Sequence, residues 1–128
     1  MIESYNNIHV TDWEQESVSL FELFENSKGL QVLLSQHAKN IKIEICFPPV
    51  YSYRCTNESY RLKTLYSIEE LPSLISVVEN SLFLKWFHEE SQDVYEGDNL
   101  KHFMIFTGEE FIDIISHVNP SIRVVNQQ

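Results

Sequence analysis

Apolar and polar residues change their spacing several times along this chain, and each change marks an element. Ile41, Ile43, Ile45 and Phe47 alternate with Lys42, Glu44 and Cys46. That period of two predicts a strand with one buried face. Pro48-Pro49 cannot donate ladder hydrogen bonds, so the strand ends or bends there. Val50 to Thr56 resumes a β-rich pattern with Tyr51 and Tyr53 on one face, and Asn57-Glu58-Ser59 reads as a turn. Tyr60 to Tyr66 is predicted as a further strand. Leu30-Gln31-Val32-Leu33-Leu34 reads as a strand too, although a helix would accommodate it.

Other stretches carry helical signals. Ser19 and Glu22 stand three apart ahead of an apolar run, a capping-box pattern. It predicts a short helix over Val18–Asn26 with Leu20, Phe21, Leu23 and Phe24 facing the core. Gly29 then fits the left-handed position past the helix end. Leu71, Ile75, Val78, Leu82 and Trp86 follow at spacings of four, three, four and four, a helical stripe. Pro72 suits its first turn, and Asn80-Ser81 divides it, with Ser81 as a cap. Ser91 to Asn99 reads as an acidic loop and Leu100 to Phe106 as a strand. Thr107 and Glu110 form a second capping box for a helix over Gly108–Val118, with Phe111, Ile112, Ile114 and Ile115 inward. Asn119-Pro120 ends that helix, and Ile122 to Val125 make a last short strand. The expected fold is a single α+β domain: a mainly antiparallel sheet of four to five strands covered by helices. The face carrying Ile41, Ile43, Ile45 and Phe47 is expected to pack on the helix carrying Ile75, Val78, Leu82 and Trp86.

Composition supports a packed core. The chain has 128 residues, 43% of them apolar, with eight Phe, six Tyr and two Trp. A chain of that size buries well over half of its unfolded surface without metal or disulfide. Met1-Ile2-Glu3 lacks a basic leader region, and no run approaches a membrane span, so a cytoplasmic protein is expected. Cys46 and Cys55 are expected to be reduced, a hairpin disulfide being the alternative.

Charge alters the picture most. Residues 1–25 hold six carboxylates and no Lys or Arg, residues 26–68 carry a balance of +4, and residues 69–128 a balance of −8. Glu89, Glu90, Asp93, Glu96 and Asp98 form the densest run, with no basic residue among them. Such a field repels nucleic acid and anionic lipid and attracts basic partners.

Motifs for chemistry are sparse. Gly29, Gly97 and Gly108 are too scattered for a phosphate-cradling loop, and no nucleophile elbow or zinc pattern is present. His88-Glu89-Glu90 with His102 is the best metal candidate, but the ligand set is incomplete, so no metal, cofactor or catalytic residue is expected. Cys46 or Cys55 as a nucleophile would need a neighbouring base, and Arg54 beside Cys55 points to the opposite strand face. Arg54, Arg61 and Lys63 with Tyr51, Tyr53 and Tyr60 resemble a stacking platform for single strands. The overall acidity opposes that, and the arginines are expected to pair with local acids such as Glu58. The acidic run does not match calcium-loop spacing. Trp86 and Tyr95, with Phe87 beside them, turn it into a candidate protein interface: aromatic anchors ringed by charge. The partner-binding residues read from the sequence are Trp86, Glu89, Glu90, Asp93, Tyr95, Glu96 and Asp98, helped by Glu109, Glu110 and Asp113.

The run Ser81-Leu82-Phe83-Leu84-Lys85-Trp86-Phe87-His88-Glu89-Glu90-Ser91, then Leu100 to Thr107, then Phe111-Ile112-Asp113-Ile114-Ile115, resembles small acidic bacterial proteins. Some of these are immunity proteins of polymorphic toxin systems. The resemblance covers roughly the last half of the chain. It implies a bacterial cytosolic protein and toxin neutralisation; with the acidic run, the leading expectation is a non-enzymatic domain that binds and blocks a basic partner such as a nuclease toxin. The alternative is a small ligand-binding or regulatory domain with an aromatic-lined pocket. A metalloprotein using His88 and His102 is the third reading.

Overall fold

The computed structural model describes residues 2–10, 18–36, 38–68 and 73–126. Nine strands and two α-helices occur among them: β1 (Ser4–Asn7), β2 (Ser19–Asn26), β3 (Gly29–Gln36), β4 (Ile41–Phe47), β5 (Ser52–Asn57), α1 (Leu62–Ser67), β6 (Ile75–Glu79), α2 (Leu82–Glu90), β7 (Lys101–Phe106), β8 (Glu110–Ser116) and β9 (Ser121–Asn126). They form two antiparallel sheets, one in the order β1-β6-β7-β8-β5 and the other β2-β3-β4-β9.

The two sheets share one core. Leu30, Val32, Leu34, Ile43, Ile45 and Phe47 from the four-stranded sheet meet Ile75, Phe103, Ile105, Ile112 and Ile114 from the five-stranded sheet. Phe47 and Phe103 meet edge to face at 5.4 Å. The alternation in β4 is therefore real, but its partner is a second sheet rather than a helix. The antiparallel sheet expected from the sequence is doubled, and among the described residues helical cover lies on one outer face. There Val78, Met104 and Phe111 form a second cluster with Leu65 of α1 and the adjoining Ile68. Phe83 of α2 packs on the ring of His102 in β7.

Four predicted elements change type, one of them the first helix of the stripe, which is strand β6. The helix expected over Val18–Asn26 is strand β2, with a register shift between Leu20 and Glu22 in its pairing with β3. The shift lets Leu20 and Leu23, three residues apart, both reach the core. That spacing imitates a helical period. The strand expected over Tyr60–Tyr66 is a short 3-10 turn followed by α1, and Asn57 caps the turn. The helix expected over Gly108–Val118 is strand β8. The bonds of its capping box do form: Thr107 Oγ1 accepts from the Glu109 and Glu110 amides and donates to Glu110 Oε1 at 2.7 Å. They close a hairpin turn whose Gly108 has φ +97, and not a helix start.

The stripe from Ile75 to Trp86 divides between β6 and α2, whereas Leu71 and Pro72 lie outside the described residues, as does Trp13. Ser81 caps α2 as expected, its Oγ accepting from Leu84 N–H at 2.9 Å. Gly29 follows a hairpin turn rather than a helix. A Cβ there would stand 1.9 Å from the Phe47 carbonyl oxygen, so β3 and β4 approach at this point as closely as glycine permits.

Candidate functional site

Helix α2 joins two places where polar chemistry concentrates. At its C-terminal end lies the acidic run. Glu89, Glu90, Asp93, Glu96 and Asp98 are all exposed, and none pairs with Lys or Arg among the described residues. Glu89 and Glu90 occupy the last turn of α2, where the helix dipole disfavours negative charge. Trp86, 49% exposed, lies on the same helix three and four residues earlier.

The acidic turn is held by packing. Tyr51, just before β5, donates its hydroxyl to Asp98 Oδ2 at 2.7 Å. That bond foremost, with burial and the Asp98 charge behind it, raises the Tyr51 pKa. The Tyr51 ring also meets Phe87, Tyr95 and His117 edge to face at 6.0, 5.6 and 5.7 Å. Further bonds fold the turn back on α2, including Asp93 N–H to the His88 carbonyl and the Ser91 hydroxyl to the Phe87 carbonyl. Tyr95 remains 40% exposed. The seven residues expected to bind a partner thus lie along one helix end and its following turn.

Three others do not join them. Glu109 and Glu110 sit at the opposite end of the β7–β8 hairpin, roughly 17 Å away at the usual strand rise. Asp113 is fully buried, so it cannot touch a partner.

Asp113 instead centres the second place, which sequence reasoning missed. It lies on β8 directly opposite Arg54 on β5 and Met104 on β7. Its Oδ1 accepts from His102 Nε2 at 2.6 Å, and its Oδ2 accepts from Arg54 Nε at 2.9 Å and from Arg61 Nη1. Burial alone would raise the Asp113 pKa. The His102 hydrogen bond and the charges of His102, Arg61 and Arg54 outweigh it and hold the carboxyl at about 2, below its usual 3.8. The guanidiniums of Arg54 and Arg61 lie over the rings of Phe83 and Phe111. Both arginines therefore pair with Asp113 and not with Glu58. A carboxylate only accepts, so His102 Nε2 carries a hydrogen. With the imidazole neutral, Nδ1 accepts from the Ser81 hydroxyl, 2.6 Å away. A line of hydrogen bonds therefore runs from the cap of α2 inward: Ser81, His102, Asp113. The signal was present in part, since His102 and Asp113 interrupt apolar strand runs and so called for buried partners.

No family model, curated protein or solved structure matches this chain. The chemistry must therefore be read from the geometry. Both ring nitrogens of His102 are engaged, and among the described residues no three His, Cys, Asp or Glu side chains are grouped as metal ligands. Cys46 and Cys55 are free thiols on different sheets. Burial first, then Glu110 and Asp113, pushes the Cys55 thiol pKa up, away from thiolate chemistry. No helix among the described residues is long and apolar enough to cross a membrane.

Proposed function

We propose that the protein is a binding domain that docks a basic protein partner on the acidic end of α2. The observation that carries this reading is a set of five exposed carboxylates, unpaired by basic residues among the described residues, on a turn fixed by Tyr51 and flanked by exposed Trp86 and Tyr95. Two of them, Glu89 and Glu90, oppose the dipole of α2, so their placement costs stability locally. A surface kept at such a cost suits recognition. Tyr and Trp beside like-signed charge supply desolvated anchors within an electrostatic funnel. The resemblance of the C-terminal half to immunity proteins supports a toxin as the partner, with the carboxylates covering its basic site.

The test begins with capture of the partner from the host and continues with association kinetics. Replacing Glu90, Asp93 and Glu96 by Gln or Asn should lower the on-rate and flatten its salt dependence, with the off-rate less affected. The fold should be unchanged or slightly more stable as self-repulsion falls. Kinetics that ignore these substitutions and salt between roughly 0.05 and 0.5 M would reduce the patch to a solubilising face.

A further inference from the structure

The other end of α2 carries a separate chemistry. Ser81 is partly exposed, and its Oγ is fixed by two bonds of opposite sense. It accepts from Leu84 N–H at 2.9 Å and stands 2.6 Å from His102 Nδ1. With the imidazole neutral, the amide hydrogen occupies one lone pair of Oγ, His102 Nε2–H is committed to Asp113, and the hydroxyl hydrogen points at Nδ1. The imidazole is 2% exposed, and Asp113 fixes its tautomer from the far side. These are the roles of nucleophile, base and orienting acid, recognised by geometry and not by sequence position. A cap needs the Ser81 oxygen but no base behind it, so capping alone does not account for the arrangement. The positive end of the α2 dipole lies at the same point, and there the Glu3 carboxylate already accepts from the Leu82 N–H at 3.0 Å.

We propose that Ser81 is an activated nucleophile that accepts an acyl group from a small ester, with His102 as its general base. The Ser81 proton passes to His102 Nδ1 as the bond from Oγ to the acyl carbon forms. The ester's carbon–oxygen bond breaks, and the departing alkoxide takes the proton from the imidazolium. The products are an O-acyl serine and an alcohol. Exposed Leu82, next to Ser81, offers apolar surface to the acyl chain. Two arginines share the negative charge of Asp113, so Asp113 acts as a positioning residue and stabilises the imidazolium weakly. Slow acylation follows from that. The site stands a helix length, about 14 Å, from the acidic turn and does not depend on it.

The experiment treats the full chain with an alkyl fluorophosphonate, whose phosphorus stands in for the acyl carbon and releases fluoride as the bond to oxygen forms. The intact mass is followed over time and the adduct is mapped. One stoichiometric adduct at Ser81 is expected. Ser81→Asn, which keeps a cap acceptor, should carry no adduct, and His102→Gln should react at least about a hundredfold more slowly, the usual range for a lost general base. An unlabelled Ser81, labelling spread at similar rates over other serines and tyrosines, or a His102→Gln rate equal to wild type would overturn the proposal. If His102→Gln does not fold, the site and relative rate of labelling in the wild-type chain decide the matter.

Discussion

Asp113→Ala should cost about 3–5 kcal/mol, the range for removing one partner of a buried ion pair. The substitution leaves His102 Nε2–H without its acceptor and Arg61, 14% exposed, without its carboxylate. Both groups then sit in low dielectric with no compensation. Arg54 suffers less, because 43% of its side chain already meets solvent. Stability in urea should report the loss directly. The effect also has a pH signature. Asp113 is held at about 2 against 3.8 for the free group, so the unfolded chain takes up that proton first as pH falls. Its stabilisation is complete above about pH 5 and disappears as pH drops through about 2, a change on the order of 2 kcal/mol. Wild type should lose that increment between pH 5 and 2, and Asp113→Ala should not. Parallel stability curves for the two proteins would contradict the buried network.

Ile43→Ala should be nearly as damaging, at about 2–5 kcal/mol. Ile43 is fully buried and pairs with Leu34 on one side and Val124 on the other. Its side chain enters the layer between the two sheets. A gap there is flanked by two hydrogen-bonded sheets that cannot close on it, so the cavity cost adds to the lost transfer energy. A denaturant midpoint like that of wild type would place Ile43 outside the core.

The strands with one wet face were legible from their residues. β4 follows its predicted bounds, and β3 and β9 lie close to theirs, because alternation or flanking turn residues marked them, whereas β7, with His102 to Ile105 all buried, was marked by its flanks alone. β8 was illegible for a reason of architecture. Phe111, Ile112, Ile114 and Ile115 are all buried, since the five-stranded sheet has the sandwich core on one face and helices on part of the other. A strand apolar on both faces has no period of two, and its pattern fits a helix as well. β2 was masked by its bulge. Of the candidate sites, the acidic turn was readable because exposure follows from charge. The Ser81–His102–Asp113 line was not, since it needs β7 beside β8 and α2 above them.

The strand order bears on how the chain reaches this state. β2, β3 and β4 form a local meander, and β7 and β8 a tight hairpin. β1, β5 and β9, by contrast, add to β6, β8 and β4, strands far away in the sequence. Each such addition closes a long loop before any contact repays the entropy. Refolding should therefore run on the order of milliseconds to seconds, as for other sheet proteins with distant pairings. β4 shows the consequence most plainly: whenever β9 is unpaired, one edge of its ladder is open to pairing with another chain.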